Sequence, residues 1–400
     1  MFMQKEDIPI EDVFEAYYSC RKNKRRTANA LRFEADYETN CVALWREINE
    51  RTYEIGRSIT FVVTKPKKRE VFAADFRDRV VHHLVASRLE PLFESVFIED
   101  NYNCRKNKGV LYGLQRLHRK IRDTTDNYTR NDCYIGKFDM QGFFMSIHKP
   151  TLWMKLERFI KEKYHGADKS LVLWLTEKIV LHNPELNCVR KSPLKAWDNI
   201  SADKSLFTCG SDYGLPIGNL TSQMFANFYL HEFDIEMEGM FLGYGRYVDD
   251  FYVLARRPED ILEKIGWMKA WLKDNCGVRL HPNKFYLQHY SKGCKFLGSV
   301  TKMDRMYAGS YTTGRMENRI RWLNTKDPMD ADCRDKFRQS INSYMGFLKH
   351  YSSYAIRRRM GNIISKDWWS VIYVSGRFLK INIRKKYKSS FSLRGIEVQV

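Results

Sequence analysis

Two adjacent acids, Asp249 and Asp250, stand at the tip of a predicted hairpin with apolar arms. Tyr-Val precedes them and Phe-Tyr-Val-Leu follows them, so the carboxylates are held close together. Such a pair is costly unless a cation neutralises it, because like charges disfavour each other's ionised form. Mg²⁺ is a hard cation that prefers oxygen ligands and completes its shell with phosphates and waters. The pair therefore predicts a magnesium site that acts on phosphates.

A third acid, Asp139, ends another short β-like run and could complete the cage. Two metal ions roughly 3.5–4 Å apart can activate an attacking 3′-hydroxyl and stabilise a departing pyrophosphate. A lone Asp-Asp pair also fits a solvated turn. The apolar runs on both sides and the accompanying segments favour the metal site.

The charge of the chain suits a polyanionic partner. Its 400 residues include 68 Lys and Arg against 48 Asp and Glu, a formal net charge of +20. Each contact between a basic side chain and a phosphate releases a condensed counterion, which drives binding to nucleic acid. The same excess of positive charge could instead increase solubility or favour binding to an anionic membrane surface. Aromatic residues form 14% of the chain, which indicates a folded protein.

The cysteine pattern and the start of the chain bear on its location. The nine cysteines form no C-x-x-C pair and their number is odd, which disfavours a zinc module or a secreted disulfide framework. The opening segment lacks the positive-then-apolar order of a signal peptide. No uncharged stretch approaches the ~18 residues of a membrane span. We expect an intracellular protein without a membrane partner.

Hydrophobic spacing outlines the elements that must position the acids. The predicted helices cover most of 8–54, then 75–97, 151–182, 220–237, 258–275 and much of the last hundred residues. The predicted strands are 59–63 and 71–73, joined by a basic turn, then 134–138, the arms of the hairpin over 245–254, and runs near 285–287 and 296–300. Residues 183–213 look irregular. These elements predict an α+β fold.

Several segments resemble the motifs of reverse transcriptases, in the order of that family, over about residues 58 to 300. Tyr247-Val248-Asp249-Asp250 resembles their Tyr-x-Asp-Asp box. Phe138-Asp139-Met140-Gln141-Gly142-Phe143-Phe144 resembles their first palm motif, and residues 65–79 resemble the fingers motif. Residues 280–284 and 292–298 resemble the next palm strand and the primer grip, the latter with Gly293 and Phe296. A chance match to all of these segments is remote.

The resemblance implies a right-hand polymerase with template RNA and an RNA/cDNA duplex as partners. Residues 1–133 would form fingers from N-terminal helices and the basic hairpin. Residues 134–300 would form the palm, a small antiparallel sheet plus helices, with a fingers-type insertion at about 151–213. Residues 301–400 would form a helical thumb, with hardly enough chain for an added RNase H domain.

The resemblance also assigns residues to catalysis. Asp139 and Asp249 would bind two Mg²⁺ ions, with the backbone carbonyl of Phe138 as a further ligand. Asp250 would tune the site and contact metal less directly. Lys284 stands where the family has a lysine that can protonate the departing pyrophosphate.

A second group of residues is implied to bind the incoming dNTP: Lys65, Arg69, Phe143, Phe144, Ile217, Gly218 and Gln223. Phe144 would lie under the sugar and exclude a 2′-hydroxyl, although aromatic side chains are more often part of the core. Lys65 and Arg69 would clamp the triphosphate, although charged runs are more often solvated.

The segment Ile217-Gly218-Asn219-Leu220-Thr221-Ser222-Gln223 indicates a narrower group. Most reverse transcriptases carry Gln-Gly-x-x-x-Ser-Pro here, whereas this form resembles the bacterial and phage-encoded enzymes of diversity-generating retroelements. The resemblance implies error-prone cDNA, changed chiefly at template adenines, copied from a template-repeat RNA to diversify a target gene. It also implies a small, basic, helical accessory protein and a cytoplasmic location.

Two alternatives remain. A group II intron-like, retron or phage-defence reverse transcriptase shares the general motifs, but the Ile-Gly-x-x-x-Ser-Gln segment argues against it. A catalytically idle RNA-binding subunit belongs to a different class, and the intact set of Asp139, Asp249 and Asp250 argues against it.

Overall fold

The computed structural model describes residues 7–22, 27–65 and 67–387. Pro66 of the predicted basic turn lies outside the described residues, as do the two ends of the chain that the predicted fingers and thumb include. The chain divides into two compact units, one of Met1–Gly113 with Asp132–Gln288 and one of Leu114–Asn131 with His289–Val400. The division into fingers, palm and thumb stays a prediction.

Helices and short strands alternate along the described residues. The helices are α1 (Ile10–Arg21), α2 (Ala28–Glu34), α3 (Tyr37–Asn49), α4 (Phe76–Glu94), α5 (Val110–Thr124), α6 (Phe143–Ser146), α7 (Lys149–Lys163), α8 (Lys169–Leu181), α9 (Leu220–Tyr229), α10 (His231–Met240), α11 (Pro258–Leu262), α12 (Lys264–Cys276), α13 (Ser310–Leu323), α14 (Ala331–Leu348), α15 (Tyr354–Ile363) and α16 (Lys366–Val371). The strands are β1 (Ser58–Val63), β2 (Arg69–Ala73), β3 (Tyr134–Asp139), β4 (Cys188–Arg190), β5 (Gly243–Tyr247), β6 (Asp250–Ala255), β7 (Tyr286–His289), β8 (Cys294–Phe296), β9 (Ser299–Thr301), β10 (Met306–Ala308), β11 (Ile372–Ser375) and β12 (Lys380–Ile383). Among these helices, none is long and apolar enough to cross a membrane.

The first unit contains the sheet that carries the acids. Its strand order is β5-β6-β3-β7, and β6 is antiparallel to both β3 and β5. One hydrophobic core joins the buried side chains of β6 to those of α4, α7, α9, α10 and α12. The predicted strand at 134–138 and the predicted hairpin at 245–254 are confirmed. Most of their residues are buried, and short runs rich in apolar and aromatic residues indicate buried strands.

Three predicted long helices are each divided in two. The single helix predicted over 151–182 is α7 and α8, with Gly166 between them, and glycine is a poor helix former. The helix predicted over 220–237 breaks at Leu230, which has φ −108° and ψ 5°. The predicted helix 258–275 is α11 followed directly by α12.

A smaller sheet in the same unit has the order β2-β1-β4. β1 and β2 form the predicted antiparallel hairpin, while β4 pairs with β1 in parallel. Glu70 of β2 is 3% exposed and accepts hydrogen bonds from Trp197 Nε1 at 2.6 Å, Ser205 Oγ at 2.8 Å and the Leu206 N–H at 2.8 Å. The prediction of an irregular segment over 183–213 is therefore wrong at β4, and this segment is anchored to the hairpin.

The second unit combines helices with two small sheets. β8, β9 and β10 form one antiparallel sheet, and β11 and β12 form a hairpin. The hairpin packs on α14, where the Asn342 side chain bonds both backbone groups of Ile381. The predicted helical character of the last hundred residues is thus incomplete. Ile372, Val374, Ile381 and Ile383 recur at every second position, which is the period of a strand.

Candidate active site

Three aspartates lie where β3 ends beside the β5–β6 hairpin. Asp139 is directly opposite Asp250 in the β3–β6 register. Asp249 lies at the hairpin tip, and its carbonyl accepts a hydrogen bond from the Met140 N–H at 3.1 Å. Opposite residues of an antiparallel pair have Cβ atoms about 4.5–5.5 Å apart. The structure therefore brings together the three acids that the sequence singles out.

Burial and mutual repulsion raise the pKa values of two of these carboxyl groups. The pKa of Asp249 is raised to about 6, mainly by burial and then by the charges of Asp139 and Asp250. Burial also raises the pKa of Asp250, against the opposing charge of Lys137. A cation among these oxygen atoms would favour the ionised form of every acid in the group.

Two lysines contact the acids. Lys284 Nζ lies 2.6 Å from Asp139 Oδ1, and Lys137 Nζ lies 3.3 Å from Asp250 Oδ1. The His281 N–H donates to the Asp139 carbonyl at 2.7 Å, which holds the segment that carries Lys284 beside β3. Lys284 is a predicted site residue, whereas Lys137 was missed. Its position two residues before Asp139 is the missed signal, because alternate residues of a strand share one face.

The donor set fits an oxygen-preferring divalent cation. Within the described ranges, no three His, Cys, Asp or Glu side chains are already arranged as a metal-holding group. Three neighbouring carboxylates are nevertheless the ligand type that Mg²⁺ prefers. Burial and then repulsion by Asp139 and Asp250 raise the pKa of Asp249, and a cation would relieve the repulsion. The ring of Phe138 is in the core, stacked on Phe251 at 5.1 Å. The role of the Phe138 carbonyl as a ligand stays a prediction.

The two aromatic residues after this strand lie on α6. Phe143 is 3% exposed and belongs to the core, so its side chain offers little surface to a ligand. Phe144 is half-buried and meets Phe143 edge to face, with ring centroids 5.6 Å apart. The Phe144 carbonyl accepts from the Leu215 N–H at 2.9 Å, and Phe144 and Ile217 pack against the same small apolar cluster. These contacts place two predicted nucleotide-binding residues near each other.

Gly218 lies against strand β2. It has φ +132°, a conformation that L side chains rarely adopt, and a Cβ atom there would be 2.6 Å from the Phe72 carbonyl oxygen. The Phe72 N–H donates to the Ile217 carbonyl at 2.8 Å, which fixes this close approach. Gly218 therefore has a structural need for glycine in addition to its predicted nucleotide contact, which stays a prediction.

The remaining predicted nucleotide-binding residues lie in different places. Gln223 is on α9, and its Oε1 accepts from Asn103 Nδ2 at 3.0 Å. Lys65 and Arg69 are exposed at the turn end of the β1–β2 hairpin, where Arg69 lies opposite Val63. Their contact with a triphosphate stays a prediction.

The residues of the predicted primer grip belong to the second unit. Phe296 is fully buried on β8, and Gly293 precedes this strand with φ +83°. A Cβ atom at Gly293 would be 3.0 Å from the Thr301 carbonyl oxygen.

A buried ion pair behind the acidic hairpin is absent from the sequence-based prediction. Arg246 is 0% exposed and Asp234 is 1% exposed, and they form two hydrogen bonds of 2.6 Å. The arginine is only three residues before Asp249, but its partner lies on α10. An arginine in an otherwise apolar strand arm is a signal that could have identified half of this pair.

A comparison with protein families gives one match that covers more than half of the chain. Residues 64–301 match the family described as reverse transcriptase (RNA-dependent DNA polymerase). Protein YkfC of Escherichia coli strain K12 is 22% identical in an alignment over 277 residues, and the match covers 61% of this chain and 65% of that protein. The chain thus spans slightly less than two thirds of this curated relative.

Solved structures of telomerases are also similar. The apo telomerase of Candida tropicalis matches with a TM-score of 0.47 and 11% identity, over 77% of this chain and 60% of that chain. A form of this telomerase truncated from the C-terminal domain matches with a TM-score of 0.43 and 14% identity, over 62% of this chain and 54% of that chain. The telomerase of Candida albicans in complex with a fragment of telomeric RNA matches with a TM-score of 0.41 and 12% identity, over 80% of this chain and 61% of that chain.

Proposed function

Because this chain belongs to the reverse transcriptase family of RNA-dependent DNA polymerases, we propose that it copies RNA into cDNA at Asp139, Asp249 and Asp250. The observation that carries this proposal is the convergence of these acids at the junction of β3 and the β5–β6 hairpin. The charges of Asp139 and Asp250 add to burial in raising the pKa of Asp249, and a cation would offset that repulsion.

Members of this family generally use divalent metal ions, and the proposed cofactor is a pair of Mg²⁺ ions. Asp139 and Asp249 would hold them, with the Phe138 carbonyl as a further ligand and Asp250 in a supporting role. When bound, the ions would supply Lewis-acid activation of the primer 3′-hydroxyl and stabilise the departing pyrophosphate. Lys284 Nζ, now at Asp139, is the proposed proton donor to that leaving group.

The proposed substrates are deoxynucleoside triphosphates. The half-buried ring of Phe144 would exclude a 2′-hydroxyl by steric overlap. Phe143 would support this ring from the core, and Lys65 and Arg69 would bind the triphosphate with charge-assisted hydrogen bonds. Ile217 and Gly218 would face the nucleotide, with Gln223 on the following helix.

The narrower function is error-prone synthesis for a diversity-generating retroelement. The template would be a template-repeat RNA, the errors would fall chiefly opposite adenine, and the cDNA would diversify a target gene. A small, basic, helical accessory protein would be a partner, in the cytoplasm of a bacterium. The support for this is the segment from Ile217 to Gln223, together with an apolar side chain at Ile217 that packs against the same small cluster as Phe144.

One assay tests both the proposed RNA-directed DNA synthesis and the narrower proposal of errors opposite adenine. The purified protein is given Mg²⁺, four dNTPs and a defined RNA with an annealed DNA primer, and the cDNA is sequenced. Primer extension that is lost in Asp139→Asn supports RNA-directed synthesis, and an excess of changes opposite adenine supports the narrower function. Extension with a uniform error spectrum contradicts only the narrower function, whereas no extension on any primed RNA contradicts both.

A further inference from the structure

The turn between β5 and β6 holds an unfavourable backbone conformation. Val248 has φ +60°, in the left-handed region. A β-branched residue is an outlier there, because its two γ-carbon branches crowd the backbone. Such strain persists only when the surrounding structure fixes it, and it occurs most often at functional sites. Val248 immediately precedes Asp249, so its conformation sets the direction in which that carboxylate leaves the turn.

The buried side chain of Arg246 forms a hydrogen bond to this turn. Its Nη1 donates to the Val248 carbonyl at 2.9 Å, while Nε and Nη2 donate to Asp234 Oδ1 and Oδ2 at 2.6 Å each. Nη2 also lies 3.3 Å from the Asn227 carbonyl. A guanidinium is a rigid planar fork, so the carboxylate that holds one edge also orients the N–H that reaches the turn.

Further hydrogen bonds hold the Asp234 side chain and the Arg246 backbone in place. Asp234 lies on α10, and its Oδ1 also accepts from Tyr244 Oη at 2.7 Å. The Arg246 N–H donates to the Asp100 carbonyl at 2.9 Å, and the Arg246 carbonyl accepts from the Tyr102 N–H at 2.9 Å. Arg246 is therefore held by its backbone and by its side chain, and it can transmit that rigidity to Val248.

Stability alone is a weak explanation for this pair. Removing two charges from water is costly, and well-packed apolar residues often stabilise a core as well as a buried ion pair does. What an apolar residue could not supply is the hydrogen bond from Arg246 Nη1 to the Val248 carbonyl in the turn. That bond is the specific property of arginine at this position.

We propose that Arg246 is a positioning residue, which Asp234 orients and which holds Val248 in the left-handed conformation so that Asp249 points into the acidic group. The proposal rests on the proposed polymerase function and adds to it the device that aligns one acid for cation binding. Because Arg246 is fully buried, its proposed role is to position the turn and not to bind nucleotide or metal.

The test compares Arg246→Lys with Tyr244→Phe. The lysine keeps the charge opposite Asp234 but has no rigid fork to reach the Val248 carbonyl. The matched control removes a buried hydrogen bond to the same Asp234 oxygen and leaves the bond to the turn intact. Three quantities are measured for each protein: the thermal unfolding midpoint, kcat and KM for dNTP on a primed RNA, and Mn²⁺ affinity by electron paramagnetic resonance without nucleotide or nucleic acid.

For Arg246→Lys we expect kcat to fall and Mn²⁺ binding to weaken by about tenfold each, since residues that orient metal ligands typically have effects of this size. KM for dNTP should stay within about twofold, because substrate contacts are unchanged. Tyr244→Phe should lower the unfolding midpoint while its kcat and Mn²⁺ affinity stay within about twofold of the parental values.

Other results overturn the proposal. If Arg246→Lys folds and keeps the parental kcat and Mn²⁺ affinity, the turn does not need an arginine. Equal losses in both variants, in proportion to their unfolding midpoints, show a purely structural pair. If neither Arg246→Lys nor Asp234→Glu folds, the pair serves the core as a whole and the positioning role is wrong. An inactive parental protein that binds Mn²⁺ contradicts the polymerase function instead, and the Mn²⁺ comparison still decides the role of Arg246.

Discussion

Asp139 and Asp250 lie opposite each other across the β3–β6 pairing, and each contacts a different lysine. The lysines offset negative charge that would otherwise be concentrated at the end of the sheet. Asp249 at the adjacent tip has no such ion pair among its described contacts, and its pKa is the one raised to about 6. Burial is the main cause of this raised pKa, followed by the charges of Asp139 and Asp250, so a cation bound beside Asp249 would favour its ionised form.

Replacing Asp249 by asparagine should abolish DNA synthesis without unfolding the protein. The amide keeps the shape of the side chain but loses the charge that binds Mg²⁺. Because the carboxylate is buried beside two other acids, its removal should leave the thermal unfolding midpoint equal or higher. Primer extension and thermal unfolding measure the two effects, with Asp274→Asn at an exposed position of α12 as the control. Extension by Asp249→Asn above about a tenth of the parental rate would contradict its assignment as a metal ligand.

Replacing Phe144 by alanine should admit ribonucleotides. The ring would overlap a 2′-hydroxyl if it lies under the sugar, so its removal should reduce the preference for dCTP over rCTP by about tenfold or more, equivalent to ~1.4 kcal/mol. Single-nucleotide incorporation opposite one template base measures this ratio. Phe97→Ala removes a half-buried ring elsewhere in the same unit and should keep the parental ratio. An unchanged ratio in Phe144→Ala would leave Phe144 as a packing residue.

Replacing Gly218 by alanine should destabilise the protein more than the same change at Gly277. Both glycines have positive φ, but a Cβ atom at Gly218 would be 2.6 Å from the Phe72 carbonyl oxygen, whereas Gly277 has open space. We expect a loss of about 1 kcal/mol at Gly277 from backbone strain alone, and of about 3 kcal/mol or more at Gly218 from strain plus overlap. Thermal unfolding of the two variants gives the comparison, and equal midpoints would show that β2 moves aside freely.

The sequence predicts those parts of the site that depend on local patterns. Asp249 and Asp250 lie in a hairpin with apolar arms, and Asp139 ends a short apolar strand, so residue order alone indicates their positions. Family membership and the mixture of helices with small sheets confirm the predicted α+β right-hand polymerase class. Spatial relations between distant segments were not predictable in this way.

Two examples show why. The parallel pairing of β4 with β1 joins residues about 130 positions apart, and no periodicity in either segment specifies it. Arg246 and Asp234 are 12 residues apart, on a strand and a helix, so their contact depends on how α10 packs against β5. Both relations come from tertiary packing, which a local pattern does not encode.

Replacing Ile217 by glutamine should lower misincorporation opposite template adenine more than it lowers total synthesis. The Ile217 carbonyl is bound to the Phe72 N–H, and its side chain packs against the same small cluster as Phe144. The backbone contact does not depend on the side chain, so the substitution should leave the turn in place. A glutamine amide offers donors and an acceptor to a nucleotide, whereas isoleucine offers only a branched hydrocarbon.

The energy needed for such a change is small. A tenfold change in error corresponds to about 1.4 kcal/mol, and one net hydrogen bond contributes about 0.5–1.5 kcal/mol. A mispaired nucleotide in a displaced position would lose little binding energy next to isoleucine, because isoleucine forms no hydrogen bond. Next to glutamine the same nucleotide would lose a hydrogen bond. We therefore expect about a tenfold lower error rate opposite adenine, while total cDNA falls by less than about threefold.

Sequencing of cDNA from the parental protein and from Ile217→Gln, on one RNA and with the same partner, measures both quantities. Ile217→Leu is the matched control, because it changes the shape of the side chain without adding a hydrogen-bonding group, and it should keep the parental error rate. An adenine error rate in Ile217→Gln that equals the parental rate, with synthesis continuing, would place the origin of infidelity in the fingers, the RNA or the accessory protein. In that case Ile217 would serve only to pack β2 against the turn.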